Sequence, residues 1–147
     1  ILYGGVSLLT ISYIIYNRWS KSIFYDEVLK RIGGGTINFD DLKVWDSSFL
    51  DEVKSSGRPF AEYKQDVLRG KSEVLRSAIQ GGGTDEDSVI SVFRFFKSKT
   101  GVAQVVSYYN AKYSRDLKQD LMGDLSDGYL GQLGSIISRK PDVIYTK

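Results

Sequence analysis

Apolar residues recur at three- and four-residue spacing through most of the chain after residue 60, which is the period of an amphipathic α-helix. Five consecutive segments show this pattern, and short joints separate them. Their apolar positions are Leu68, Leu75 and Ile79; Val89, Val92, Phe93 and Phe96; Val102, Val105, Val106 and Tyr109; Leu117, Leu121 and Leu125; and Tyr129, Leu133, Ile136 and Ile137. Because no segment shows the sustained alternation of a β-strand, we predict an all-α domain of five helices over residues 60–139.

The first 16 residues, ILYGGVSLLTISYIIY, carry no charge, and the polar and basic run NRWSKS follows them. Sixteen helical residues span about 24 Å, most of the roughly 30 Å hydrocarbon core of a bilayer. We therefore predict a single transmembrane anchor over residues 1–19 and expect further apolar residues before Ile1. Aromatic and basic side chains at its end are predicted to lie at the membrane interface: Tyr13, Tyr16, Arg18, Trp19 and Lys21.

Two other interpretations of the N-terminal segment stay open, a cleaved signal peptide and a buried core helix. A signal peptide ends in small residues, whereas this segment continues into Ile15, Tyr16 and Trp19. A core helix of a small domain carries a polar face, which the segment lacks apart from a few hydroxyl side chains. The anchor is the interpretation that the pattern favours, and its orientation is not encoded.

Residues 20–59 are predicted to be a helical extension followed by a connector of one or two short helices, closed by Gly57 and Pro59. Its apolar side chains are too numerous for a free linker, so we expect them to pack on the helical domain, with Trp45 in the core. Residues 140–147 follow as an extended tail, because Pro141 ends the last helix. Val143, Ile144 and Tyr145 are its expected apolar contacts with a docking partner.

The 20 basic and 18 acidic side chains leave a net charge of only +2, so we predict no nucleic-acid partner. The chain has no histidine and no cysteine, which excludes thiol nucleophiles, disulfides, most structural zinc sites and the commonest general base. Five acids crowd the connector and its end: Asp40, Asp41, Asp46, Glu52 and Glu62. Paired carboxylates can cleave glycosides, which makes a peptidoglycan-active enzyme the remote alternative. Capped, solvated helices contain such acids too, and we predict no catalytic residues and no enzyme.

The stretch AIQGGGTDEDSV at residues 78–89 places three glycines before a cluster of acids. Glycines adopt the left-handed conformation that ends a helix, and Thr84 is predicted to cap the next helix by accepting from the backbone N–H near Asp87. The acids that follow lie at the positive end of the helix dipole. A helix-to-helix turn therefore accounts for these residues without any ligand.

The same joint resembles the glycine-rich signature of annexin repeats. GGGTDED at residues 81–87, YYNAKYSRDLKQDL at 108–121 and GDLSDGYLGQL at 123–133 follow in the family's order, so that residues 72–137 resemble one annexin repeat. The resemblance implies a calcium site made of the carbonyl groups of Ile79, Gly81 and Gly83 and the carboxylate of Asp124, where the family usually has a glutamate. Calcium is the one cofactor implied, and none is otherwise required. Arg115 and Asp116 are implied to be structural.

Small bacteriophage proteins that combine a membrane segment, a connector and one such repeat are similar to this chain, including the run FRFFKSKTGVAQVV at residues 93–106. The leading prediction is a non-enzymatic, single-pass membrane protein of a virion that links the bilayer to a capsid or other structural protein, or to itself. The alternative is a calcium-dependent phospholipid-binding module. Annexins join four repeats into their membrane-facing surface, whereas this chain has one clear copy.

Overall fold

The computed structural model describes residues 38–80 and 83–144. These ranges form six α-helices and two short 3-10 turns and contain no β-strand, so the all-α prediction is confirmed for them. The 3-10 turns are Phe39–Asp41 and Lys43–Trp45. The helices are α1 (Phe49–Ser55), α2 (Gln65–Ile79), α3 (Glu86–Phe95), α4 (Lys99–Tyr113), α5 (Leu117–Asp124) and α6 (Asp127–Ser138).

Helices α2 to α6 are the five helices that the hydrophobic pattern predicts. Their predicted apolar positions all lie in one core, where only Ile136 is partly rather than fully buried. Helix α2 packs against α3 and α4, and α6 closes the other side of α3. Phe93 of α3 has no exposed surface, and burying one such ring contributes about 2 to 3 kcal/mol.

The described part of the connector belongs to this core and is not a free linker. Phe39, Phe49 and Val53 are buried in the same cluster as the helical core. The indole Nε1–H of Trp45 donates to the carbonyl O of Phe39 at 2.7 Å, and its ring meets that of Phe93 edge-on. The expectation that the connector packs on the helical domain is confirmed, and Trp45 is partly buried against the core rather than inside it.

The described part of the C-terminal tail, as far as Ile144, docks on the chain's own head. The first N–H groups of a helix have no intrahelical partners, and tail carbonyls accept from them. The N–H of Lys99 donates to the carbonyl O of Pro141 at 2.8 Å, and that of Thr100 to Asp142 at 3.0 Å. Val143 is buried in the core, whereas Tyr145 lies outside the described residues.

No helix within residues 38–80 and 83–144 is long and apolar enough to cross a membrane. The predicted anchor at residues 1–19 lies outside these ranges, as do its predicted interface residues and the start of the helical extension. The transmembrane anchor therefore stays a prediction.

Candidate functional site

The joint between α2 and α3 reverses the chain within a few residues. Helix α2 ends at Ile79, and the N–H of Gln80 donates to the carbonyl O of Arg76 at 2.8 Å. The N–H of Asp85 donates back to the carbonyl O of Ala78 at 3.0 Å, which returns the chain to the end of the helix it has just left. Gly83 is exposed, and Gly81 and Gly82 lie outside the described residues.

Asp85, not Thr84, caps helix α3, so the predicted cap was wrong by one residue. The Asp85 carboxylate accepts from the backbone N–H of Ser88 at 3.2 Å and from the Ser88 hydroxyl at 2.7 Å. Threonine and aspartate are both good caps, and the helix begins at Glu86, one residue later than the sequence pattern suggests. The Thr84 hydroxyl is used elsewhere.

Thr84 connects this joint to the end of α5. Its Oγ1 donates to the backbone carbonyl O of Asp124, the last residue of α5, at 3.4 Å. We call the surface formed by Ile79, Gly83, Thr84 and Asp124 the loop edge. Three of the four ligands implied by the resemblance, Ile79, Gly83 and Asp124, lie in described residues. The contact joins the loop that follows Ile79 and contains Gly83 to Asp124.

The ligand chemistry of the loop edge is restricted to oxygen atoms, most of them on the backbone. In the part of the chain that the structure describes, no group of three or more Asp, Glu, His or Cys side chains is placed to hold a metal ion. Asp124 is exposed, and its carboxylate has no hydrogen-bond or ion-pair partner among those residues. Carbonyl and carboxylate oxygens are the ligands that calcium prefers, so the donor set fits this cation.

The joint between α4 and α5 holds the other conspicuous polar cluster, which is internally satisfied. Arg115 donates to Asp120 through Nε at 2.8 Å and through Nη2 at 2.7 Å, and the Tyr109 hydroxyl donates to the same carboxylate at 2.7 Å. Asp116 caps α5 through the N–H of Gln119. The structural role implied for Arg115 and Asp116 is confirmed.

Two pKa values in this cluster reflect its geometry. The Arg115 guanidinium, helped by the Tyr109 hydroxyl, lowers the pKa of the Asp120 carboxyl, although partial burial opposes the shift. Burial and, after it, the hydrogen bond to Asp120 raise the pKa of Tyr109 to about 12. The sequence analysis did not single out Asp120, although its spacing of five residues from Arg115 placed it in reach.

Four of the five acids considered for hydrolysis line one depression of about 320 Å³ beside Trp45, while Glu62 lies elsewhere and pairs with Lys54 at 3.8 Å. Each of the four has a polar partner, namely Lys118 for Asp40, Asn38 for Asp41, and Ser48 for both Asp46 and Glu52. The hydrogen bonds from Ser48 lower the pKa of Asp46. A general acid needs the opposite shift.

Comparisons with known proteins point to the same family as the loop signature. The chain is 34% identical to annexin A6 of Gallus gallus over 97 residues, which cover 65% of the chain and 13% of that protein. It is 37% identical to annexin A3 of Homo sapiens over 76 residues, covering 52% and 23%, and 42% identical to annexin A3 of Mus musculus over 55 residues, covering 37% and 17%. No protein-family model matches the chain, and no solved structure matches it significantly.

The helix order and these matches together show that the chain carries an annexin-like repeat. The matched regions span only 13 to 23% of the length of these relatives. None of the matches bears on the predicted bacteriophage context.

Proposed function

We propose that this chain is a calcium-dependent phospholipid-binding module built on one annexin-like repeat. The observation that carries the proposal is the contact between the Thr84 hydroxyl and the carbonyl O of Asp124, which joins the glycine loop to the end of α5. The annexin matches support the same function, which was the alternative to a virion protein in the sequence analysis. The proposal draws on the annexins only for the repeat, because the similarity is limited to that part of their length.

The loop edge would hold a calcium ion by backbone carbonyls and one carboxylate. Calcium takes about six to eight oxygen ligands, so the carbonyls of Ile79, Gly81 and Gly83 and the Asp124 carboxylate would leave positions for water and a headgroup phosphate. Because Gly83 and Asp124 are exposed, a lipid phosphate can approach the loop edge. Calcium would supply the positive charge that attracts the phosphate, and the protein residues would orient it.

The length of the side chain at position 124 determines the calcium affinity that we expect for the site. Aspartate is one methylene shorter than the glutamate usual in the family, so its carboxylate reaches less far towards the glycine loop. A more distant ligand gives weaker coordination, since calcium–oxygen distances lie within about 2.3 to 2.6 Å. We therefore expect binding that needs more calcium than a glutamate-bearing repeat would need.

We further propose that the protein is not an enzyme. The acids of the connector are paired with Lys118, Asn38 and Ser48, and the lowered pKa of Asp46 does not suit proton donation. These partners support a role in holding the connector on the head. A peptidoglycan-active enzyme would need one carboxyl whose pKa is raised.

The uncharged segment at residues 1–16 favours a second candidate function, a membrane-anchored structural protein. In that proposal residues 1–19 cross a bilayer, the head binds a protein partner such as a capsid protein or a second copy, and calcium plays no part. Residence in a bacteriophage particle belongs to this second proposal.

Flotation on phosphatidylserine-containing vesicles separates the two functions. The full chain and a form beginning at Ser22 would each be tested with calcium and with chelator. The first proposal predicts that calcium increases the fraction of the shorter form that floats, whereas an anchor makes the full chain float to the same extent under both conditions. A folded shorter form whose flotation does not increase at any calcium concentration would contradict calcium-dependent binding by the head.

A further inference from the structure

The C-terminal end of α3 carries basic side chains around an exposed phenylalanine. Phe95 is 40% exposed, and the Lys71 Nζ lies 4.2 Å from the centroid of its ring. Arg94 and Lys97 flank it and are exposed. From the last residues of the head, the Lys140 Nζ donates to the carbonyl O of Phe96 at 2.5 Å. We call this surface, formed by Lys71, Arg94, Phe95, Lys97 and Lys140, the basic end.

The positive charge of the basic end is not neutralised by neighbouring acids. Among the residues that the structure describes, no carboxylate lies within 4.0 Å of its four cationic groups. Asp142, the acid nearest to Lys140 in sequence, instead faces three other cations, Lys43, Arg58 and Lys99, at 3.6 to 3.9 Å. The head thus has a local positive field despite a net charge of only +2.

The cationic side chains of the basic end differ in burial and in hydrogen bonding. Lys140 is half-buried and bound to a backbone carbonyl, and burial together with the charges of Lys97 and Arg94 lowers its pKa. Lys140 is therefore a positioning residue that stabilises the end of α3. Lys97 donates to the carbonyl O of Arg94 at 3.3 Å but stays exposed, and the Arg94 guanidinium points to no acid in the described chain. Arg94 and Lys97 are the groups that a ligand can reach.

The surroundings of Phe95 select among anionic ligands. One face of its ring carries the Lys71 ammonium, and the rings of Tyr63 and Phe96 lie 6.1 and 5.1 Å away. A nucleic-acid base needs a free aromatic face for stacking, which this packing restricts. A bilayer instead accepts an exposed aromatic edge at the headgroup boundary while lysine and arginine contact the phosphates.

We propose that the basic end binds an anionic lipid surface without calcium, through the Arg94 and Lys97 side chains and the exposed part of Phe95. The ten residues of α3 separate this surface from the loop edge by about 15 Å. It is therefore a second lipid-binding surface, distinct from the calcium-dependent one. Because its positive charges belong to the protein, it needs no metal ion.

A fluorophore placed beside the basic end tests this directly. The chain has no cysteine, so a Ser91→Cys variant of the full chain, exposed on α3 and four residues before Phe95, accepts one polarity-sensitive label. In chelator, phosphatidylcholine vesicles containing phosphatidylserine should shift its emission to the blue, and pure phosphatidylcholine vesicles should not. A Met122→Cys label on α5, near the loop edge, should not respond in chelator.

Matched pairs of charge substitutions isolate the basic end. In the Ser91→Cys background, Arg94→Gln with Lys97→Gln should raise the half-saturating lipid concentration about 30-fold, since each charge near an anionic membrane contributes about fivefold. Lys54→Gln with Lys112→Gln removes the same net charge at exposed ion pairs elsewhere and should change it less than about threefold. The label reports the surroundings of position 91 even if residues 1–16 also enter the vesicle.

Three results would overturn the proposal. One is a label at position 91 that ignores anionic vesicles in chelator, and another is an equal loss of response in the two substituted pairs. The third is a DNA oligonucleotide that shifts the emission as much as the vesicles do, which would identify a site for polyanions in general. All three results are obtained without calcium, so they test the basic end independently of the proposed calcium site at the loop edge.

Discussion

Asp120 and Asp124 lie one turn apart on α5, and their surroundings differ completely. The Asp120 side chain is 8% exposed and accepts from Arg115 and Tyr109. Asp124 is exposed, and its carboxylate has no partner in the described part of the chain. The comparison teaches that a carboxylate saturated by its own fold stabilises that fold, whereas one left open at a loop edge can bind a ligand.

The largest expected difference is in the free energy of unfolding when each aspartate is replaced by alanine. Asp120→Ala should lower the free energy of unfolding by about 2 kcal/mol, because the buried Tyr109 hydroxyl loses its acceptor. Asp124→Ala should change it by less than about 0.5 kcal/mol. Urea denaturation followed by far-UV circular dichroism measures both, and equal destabilisation would show that Asp124 also belongs to the fold.

A smaller effect is expected from the hydrogen bond between Tyr109 and Asp120, which should appear in the pH dependence of unfolding. Because the folded-state pKa of Tyr109 is raised from 10.0 to about 12, its protonated form contributes stability below pH 10 that is lost as the pH rises towards 12. Tyr109→Phe should cost about 1 kcal/mol at neutral pH and flatten that alkaline decline. Urea midpoints at about pH 9 and about pH 11 are the measurement. An unchanged alkaline slope in the variant would assign the decline to other groups.

Thr84→Val should have the smallest effect on stability and a selective effect on lipid binding. The hydroxyl contact with the Asp124 carbonyl is long, at 3.4 Å, so its loss should change the unfolding free energy by less than about 0.5 kcal/mol. If this contact aligns the loop edge, calcium-dependent vesicle binding should weaken by about threefold. Thr84→Ser keeps the hydroxyl and serves as the control. Equal weakening in both variants would argue against alignment by this bond.

Much of the fold could be predicted because its signals are local or periodic. Leu75, Phe93 and Leu133 recur with the helical period, and the structure buries all three. The connector was predictable from Phe39 and Phe49, which are too apolar to remain in solvent. The ligand set of the loop edge came only from the family resemblance, since carbonyl ligands have no characteristic side chain.

Other features depend on contacts between distant residues, which no local pattern encodes. The tail has no periodicity, so its docking on the start of α4 became visible only in the bonds that Lys99 and Thr100 make with it. The basic end combines Lys71, Arg94 and Lys140, which are scattered along the sequence until the fold brings them together. The cap of α3 was misassigned because Thr84 and Asp85 are adjacent and both residue types are favoured at the N-cap.

The most direct test of the central claim is a calcium titration of vesicle binding with three forms beginning at Ser22: wild type, Asp124→Ala and Asp124→Glu. The account predicts that the alanine variant stays folded but shows no increase in phosphatidylserine vesicle binding when calcium is added, while the glutamate variant shows that increase at lower calcium than wild type. A calcium-induced increase in the binding of the alanine variant, with the same midpoint as in wild type, would contradict the assignment of the loop edge as a calcium site.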